Sequence, residues 1–290
     1  DAGRSVRAAS LSVMEPFIGS EVVAGGGLTR GQLRWGYTAL HPDVYLRRGA
    51  TQDLDVRTRA AWLWTRRRGI VAGRAAAAFY CRPTNPDIPV ELIGRVRRRE
   101  SGVIVRDERI AEDEIVVRRG ISVTTPVRTA WDLARHVERR EAIIQLDALA
   151  AATGISREDV VELSRRYPGA RGAAVARASL WDMDGGAGSP EESRIRVILV
   201  DHGIPRPETG IVVGSGPEAV RVPMGWPNFR VGLHYRAEPV RPEHAVVEHL
   251  IDLRLALAGW LMVTVVPDNF QEQIVAGVRQ ALMYRAGIRR

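Results

Sequence analysis

The sequence predicts two regions of different fold class, an N-terminal α+β region and a C-terminal α/β domain. Three observations lead to this prediction. Residues 19–50 carry two short helix signals and then a strand, residues 185–190 are three glycines with an alanine, a serine and a proline, and an apolar strand at 260–266 follows a long helix. We therefore divide the chain into a tail (1–18), an N-terminal region (19–184), a linker (185–190) and a C-terminal domain (191–290).

The first segment, 19–50, has the element order of a winged helix. A short helix is predicted at 20–24 and a second one from Thr29, and the strand-like run "DVYLRRG" ends the segment. A complete winged helix has a further, recognition helix before its wing. The stretch after Leu33, "RWGYTALHP", is too short and too rich in helix breakers for one. We therefore predict a truncated winged-helix-like segment.

Residues 51–184 are predicted to form a small sheet, with helices before and after its strands along the chain. Val56, Ala60 and Leu63 have the spacing of one face of a helix, and Gly69 ends it. Pro126, after two threonines, is placed as the first residue of another helix. The predicted elements are helices at 53–69, 73–80, 126–137, 140–154, 156–169 and 170–184, and strands at 90–94, 102–107, 114–120 and 121–124.

The C-terminal domain has the predicted order helix, hairpin, helix, strand, helix. Ser189 and Pro190 begin the first helix and Gly203 ends it. Residues 221–238, "RVPMGWPNFRVGLHYRAE", alternate apolar residues along two strands joined by a short turn. The strand "WLMVTVV" is almost wholly apolar, which is typical of a sheet covered on both faces. These patterns predict a modest α/β domain.

Arginine supplies all 42 basic residues, because the chain contains no lysine. This excludes a Walker A lysine and a Schiff-base lysine. A GC-rich genome is the simplest explanation for the replacement. The net charge of +8 and the pI of about 10.5 still attract polyanions, and arginine pairs with phosphate through a planar fork. We therefore expect nucleic acid, and DNA in particular, as the partner.

The remaining composition narrows the class of protein. Cys81 is the one cysteine, which excludes an internal disulfide and a multi-cysteine metal site, and we expect it to be buried rather than nucleophilic. No run approaches the ~18 apolar residues of a membrane span, and the first residues lack the apolar block of a signal peptide. We expect a cytoplasmic protein with no membrane contact and no cofactor.

Two sets of motifs together resemble a known family. "LTRGQLR", "HPDVY" and "VTTPVRTAWDLA" stand in the first part of the chain, and "SPEESRIRVIL", "MGWPNFRVGLHY" and "LALAGWLMVTVV" stand in the second. They resemble an actinobacterial family that joins an AbiEi-type antitoxin-like region to a domain similar to the very-short-patch-repair (Vsr) endonucleases. The resemblance covers nearly the whole chain after Ile18. It implies a restriction-endonuclease-like fold for residues 191–290.

The resemblance also implies that the nuclease site is degenerate. Such domains carry acids two positions before the "GW" of the hairpin, directly before the tyrosine of the next strand, and often directly after it. Here those positions hold Pro223, His234 and Arg236. Glu192 and Glu248 remain, and Glu192 is explained fully by a capping box with Ser189, a structural role that outweighs a catalytic one. Magnesium needs hard anionic oxygens, so we predict no metal, no catalytic residue and no Mg²⁺-dependent cleavage here.

The leading hypothesis is therefore a non-catalytic, antitoxin-like, nucleic-acid-associated protein with an inactivated nuclease fold. The first alternative is a protein-interaction module that neutralises a toxin or scaffolds an assembly. The second is a metal-dependent nuclease whose site is rebuilt around histidines, for example a zinc site of His234, His244 and Glu248. The nucleic-acid contacts predicted under the leading hypothesis are Arg30, Arg34, Arg97, Arg98, Arg99 and Arg236, and the clusters 66–68 and 95–99 are further candidate phosphate contacts.

Overall fold

The fold is described from a computed structural model, which covers residues 15–96, 98–237 and 242–287, with the side chains of 242–245 left aside. The chain divides into two compact units, residues 1–133 and 134–290, and the division falls inside one helix. The observed combination of helices with antiparallel and mixed sheets confirms the predicted α+β class. No helix within the described ranges has both the length and the apolar character that crossing a bilayer requires.

The first unit begins with two short helices and a three-stranded antiparallel sheet. Its elements are β1 (Phe17–Ile18), α1 (Gly19–Ala24), α2 (Arg30–Gly36), β2 (Tyr37–His41) and β3 (Val44–Arg47), and the strand order is β1-β3-β2. The sequence predicts only the second strand of the hairpin, whereas β2 lies in the stretch taken for helix-breaking loop. A two-residue turn makes this hairpin, because Asp43 adopts a left-handed conformation with φ of 65°.

A long helix and a mixed five-stranded sheet complete the first unit. Its elements are α3 (Leu54–Trp64), β4 (Ile70–Val71), α4 (Gly73–Ala77), β5 (Val90–Ile93), β6 (Val103–Arg106), β7 (Ile115–Arg118) and β8 (Ile121–Thr124), in the sheet order β6-β5-β4-β8-β7. The four predicted strands lie where the sequence places them, and the two-residue β4, which the sequence did not predict, is central. Residues from α3, β1 and β3 share one core with this sheet.

Among its described residues, the second unit contains the end of helix α5 (Pro126–His136), six further helices and one four-stranded sheet. Helix α5 joins the units, and α6 (Arg139–Thr153), α7 (Arg157–Ser164), α8 (Ala173–Trp181) and α9 (Pro190–Asp201) follow. The cap of α7 is the predicted one, because Ser156 and Asp159 bond each other's backbone N–H groups. The last elements are β9 (Glu208–Val213), β10 (Val220–Trp226), β11 (Val231–Tyr235), α10 (Pro242–Leu257), β12 (Leu261–Val265) and α11 (Gln271–Arg285).

The sheet of the second unit is covered on both faces, as the apolar strand predicts. Its order is β12-β11-β10-β9, and only the β11–β12 pair is parallel, because α10 crosses between these two strands. Side chains of α9 and α11 pack with Met224 and Leu233 on one face, and Leu255 of α10 packs with Val222 on the other. The edge strand β9 was not predicted, since Gly210 interrupts its apolar pattern.

The observed division does not coincide with the predicted linker. Residues 185–190 lie inside the second unit, where Gly186 donates to the Asp184 carboxylate and Gly188 donates to the Glu192 carboxylate. A buried ion pair also joins α6 to α9 across this stretch, with 2.7 Å between the Arg196 guanidinium and the Asp147 carboxylate. The domain boundary at 185–190 therefore stays a prediction.

Candidate functional site

The first candidate site is the exposed side of α2. Thr29 caps this helix by accepting from the Gln32 N–H, and the Gln32 side chain accepts from the Thr29 N–H in return, so the turn before α2 fixes its start. Leu33 is buried, whereas Arg30 and Arg34 are exposed one helical turn apart. The Arg34 guanidinium lies 5.9 Å from the centre of the neighbouring Trp35 ring. The helix thus presents two cations and an aromatic ring to solvent.

Two arginines of the adjacent strand end enlarge this positive surface. Arg47 and Arg48 are exposed at the end of β3, and Arg48 donates to the Arg34 carbonyl oxygen at 3.4 Å. We call Arg30, Arg34, Arg47 and Arg48 the α2 surface. Within the described part of the chain, none of these four guanidinium groups forms an ion pair with a carboxylate. Their charge is therefore available to an external anion.

The arginine cluster at 66–68, a candidate for phosphate contacts in the sequence, is largely engaged inside the unit. Arg66 pairs with Asp43 at 2.7 Å, and Arg67 forms a two-pronged pair with Glu21 at 2.6 and 2.7 Å. Hydrogen bonding to Arg67 lowers the pKa of Glu21. Arg66 and Arg67 both have positive φ, as Asp43 does, so three left-handed residues meet at one place. The pair of Glu21 and Arg67 thus joins α1 to the residues that follow α3.

The second arginine cluster lies in the loop between β5 and β6. Arg98 and Arg99 are exposed there, and Arg95 lies 3.3 Å from the Asp107 carboxylate. Arg97, also predicted to contact nucleic acid, lies outside the described residues. Arg98 and Arg99 remain predicted contacts.

The position predicted to be a degenerate nuclease site lies at the carboxyl ends of β11 and β12, on the side of α10. His234 pairs with Thr264 in the parallel register, and its Nε2 is 2.8 Å from the Thr264 hydroxyl oxygen. Arg236 follows the end of β11, and its guanidinium donates to the Glu248 carboxylate of α10 at 2.8 Å. The structure thus brings together three of the five positions named from the sequence.

The electrostatics of this position disfavour a positive imidazole. Burial lowers the pKa of His234, and the neighbouring Arg236 charge lowers it further, while Asp252 and Glu248 act in the opposite direction. The lowered pKa favours the neutral form of His234 at pH 7. Among the described residues, the Glu248 carboxylate is held by Arg236 and Asp252 is the other acid that acts on His234, which is fewer free carboxylates than a Mg²⁺ ligand set uses.

Pro223 interrupts the regularity of the central strand β10. It has no N–H to give to a neighbouring strand, and the register places it opposite Gly210, whose φ is +64°. Val222 and Met224, although two residues apart, pack in the clusters on opposite faces of the sheet. The regular alternation of side chains along β10 is therefore broken at Pro223.

Glu192 and His244 are not brought to this cluster by any described contact. The Glu192 carboxylate accepts the Gly188 N–H at 2.8 Å, and the Ser189 hydroxyl accepts the Glu192 N–H at 3.2 Å. Glu192 therefore stabilises the start of α9, with half of the predicted capping box present. The side chain of His244 lies outside the described residues, so the zinc-site alternative stays open.

One residue of this cluster, Thr264, escaped the sequence interpretation, whereas Asp252 was placed one turn after Glu248 on the same face of the predicted helix. Thr264 carried a signal, because it is the one polar side chain in the strand "WLMVTVV". Asp252 stands one helical turn after Glu248, which alone does not distinguish it from a solvated charge.

Comparisons with known proteins bear on the central part of the chain. Residues 60–180, from the end of α3 to α8, match the family model described as the AbiEi antitoxin C-terminal domain. Uncharacterized proteins of two Mycobacterium tuberculosis strains, CDC 1551 and H37Rv, are each 29% identical over 258 residues, covering 87% of this chain and 90% of the relative. No solved structure matches the chain. Residues 60–180 are therefore similar to the AbiEi antitoxin C-terminal domain, with actinobacterial relatives along most of the chain.

Proposed function

We propose that the protein is a non-catalytic, antitoxin-like regulator that binds DNA through the α2 surface. The observation that carries the proposal is the set of arginines on α2 and β3 with no carboxylate partner among the described residues. The similarity of residues 60–180 to an antitoxin domain supports the regulatory part of the proposal.

The arrangement of α1, α2 and the hairpin supports a short helix-turn-helix in which α2 is the element placed at the DNA. Helix α2 has seven residues, so at 1.5 Å per residue it is about 10 Å long and fits the end of a major groove about 12 Å wide. The two-residue turn of the hairpin offers no wing that could reach a minor groove. Most of the binding free energy then comes from phosphate contacts, with little base reading.

Fluorescence anisotropy with a random-sequence DNA duplex tests this proposal. Each arginine–phosphate contact contributes about 0.9 to the slope of log K against log salt, so Arg30→Gln with Arg34→Gln lowers the slope by about 1.8. The matched control is Arg171→Gln with Arg177→Gln, which removes the same charge from exposed positions of the second unit. Equal losses in the two double variants, or no duplex binding by the unmodified protein at low salt, contradict the proposal.

We further propose that residues 191–290 are an inactivated nuclease-like domain. The pairing of Arg236 with Glu248, the neutral imidazole of His234 and the proline in β10 all support this. Incubation of supercoiled DNA and of RNA with the protein and Mg²⁺, Mn²⁺ or Zn²⁺ should leave both intact. Cleavage that is lost in His234→Ala would instead support a nuclease with a rebuilt site.

A second candidate function, capture of a toxin protein, is favoured by a separate observation. On α8, Val175 inside the matched region is 53% exposed, and Trp181, directly after the matched region, is 68% exposed. A protein retained in pull-downs after nuclease treatment, and lost with Trp181→Ala, supports this function. Trp35→Ala, which changes an exposed tryptophan of the first unit, is the control.

A further inference from the structure

A groove of about 760 Å³ lies between helices α1 and α2 and the sheet of the N-terminal segment. Its size is within the range of roughly 300–1,000 Å³ that is usual for small-ligand sites. Tyr37, Ala39 and Tyr45 line it from the sheet, and Val23 and Leu33 line it from the helices. Arg30 and Arg34 also line it. The groove thus has an aromatic and apolar part next to two cations.

The tyrosines are held in place by their neighbours. Phe17 packs edge-to-face on Tyr37 at 5.1 Å between ring centres and is stacked with Tyr45 at 6.4 Å. The first turn of α1 lies directly against the Tyr45 ring, since a Cβ at Gly19 would come within 2.5 Å of it. Rigid rings of this kind provide surfaces on which another planar ring can stack.

The charge of the groove favours an anion. Asp43 is the one carboxylate among the lining residues, and it accepts from the Ser20 N–H at 2.8 Å and from Arg66 at 2.7 Å. Its negative charge is therefore already compensated. Arg30 and Arg34 have no such partner in the described ranges, and a guanidinium binds phosphate oxygens through paired N–H donors.

We propose that this groove binds a nucleoside monophosphate, with the base against the tyrosines and the phosphate at Arg30 and Arg34. A ligand of this class combines a planar ring with a compact dianion, which are the two features that the lining matches. The inference goes beyond the proposed regulatory function and does not require duplex binding. If it holds, nucleotide and duplex compete for the same two arginines.

Isothermal titration calorimetry of the full chain with AMP, without DNA, tests the inference. We expect saturable one-site binding with a Kd of about 1 mM or below, and at least about tenfold weaker binding of adenosine and of inorganic phosphate. Ala39→Trp fills the groove from the strand and should abolish binding, while Arg30→Gln with Arg34→Gln should weaken it at least about tenfold. Thr38→Trp, on the same strand but not lining the groove, should keep the Kd within about twofold.

The outcomes separate this inference from the proposal on duplex binding. No saturable AMP binding, or AMP binding that Ala39→Trp leaves unchanged with a native circular dichroism spectrum, overturns the groove assignment even if the duplex binds. AMP binding that depends on Ala39, in a protein that fails to bind duplex, supports the groove assignment alone. Equal affinity for AMP and inorganic phosphate also overturns it, because the base would then contribute nothing.

Discussion

The buried ion pair of Asp147 and Arg196 allows a quantitative prediction about the second unit. Both side chains are at most 1% exposed, and the carboxylate also accepts the Asp184 N–H at 2.7 Å. Burial raises the pKa of Asp147, which shows that desolvation outweighs the attraction of the guanidinium. The Nε and Nη1 groups of Arg196 are buried with no hydrogen-bond partner among the described residues. The guanidinium therefore depends on this one carboxylate.

Asp147→Asn should cost about 3–5 kcal/mol of unfolding free energy, because it leaves the Arg196 charge uncompensated in the core. One kcal/mol shifts Tm by about 2–4 °C in units of about 150–250 residues, so Tm should fall by about 6–20 °C. The double variant Asp147→Leu with Arg196→Met removes both charges and keeps apolar volume. It should recover most of the loss, since a well-packed apolar pair is often as stable as a buried ion pair.

Urea unfolding followed by circular dichroism measures these differences. Glu162→Gln is the control, because it breaks the ion pair of Glu162 and Arg165, in which both side chains are 71% exposed. Exposed ion pairs contribute at most about 1 kcal/mol to the unfolding free energy. A loss of less than about 1 kcal/mol in Asp147→Asn, or a double variant as unstable as the single one, would refute the assignment of a dependent buried charge.

Three further predictions follow from single residues. Lowering the pH from 7 to 5 should destabilise the fold. Burial lowers the pKa of His234 below its value in the unfolded chain, so the unfolded chain binds the proton more readily and protonation favours unfolding. His234→Gln should flatten this part of a curve of unfolding free energy against pH. The thiol of Cys81 should react with a disulfide reagent more slowly than free cysteine at pH 8 and speed up in urea, because burial raises its pKa. Gly73→Ala should lower the unfolding free energy by about 2 kcal/mol or more, since φ is +55° and the new Cβ would meet the Glu91 carboxylate. Gly49→Ala is the control, because its φ is +81° and no atom lies near the new Cβ. Its unfolding free energy should fall only by the backbone strain of a left-handed alanine, about 1 kcal/mol.

The elements with strong local signals were predictable from the sequence. The cap at Ser156, the end of α6 at Gly154 and the two-sided burial of the C-terminal sheet all follow from residue types that act over a few positions. The strands β2, β4 and β9 were not predicted. Their own residues carry weak strand signals, since Gly210 interrupts β9 and β4 has only two residues, and pairing with neighbouring strands fixes them. Tyr37–His41 exists as a strand because β3 lies beside it, and Ile70–Val71 pairs with both β5 and β8.

The candidate sites show the same limit. The exposure of Arg30 and Arg34 follows from their spacing on a short helix with Leu33 as its buried side chain. The engagement of Arg66 and Arg67 does not, because Asp43 and Glu21 approach them only through the folded packing of α1 and the hairpin. In the same way, the contact of Arg236 with Glu248 depends on the path of α10 between β11 and β12. A prediction from charge runs alone therefore overcounts the arginines that can meet a nucleic acid.

Under the proposed nuclease-like assignment of residues 191–290, the guanidinium of Arg236 is a covalently attached cation at the position where a metal-dependent nuclease would bind a cation from solution. It is not released by EDTA, does not exchange with other ions, and keeps its charge across the whole biological pH range. The local structure at the ends of β11 and β12 should accordingly be the same in metal-free and metal-rich media. Starvation for divalent ions, which silences metal-dependent nucleases, should leave the structure of this position unaffected.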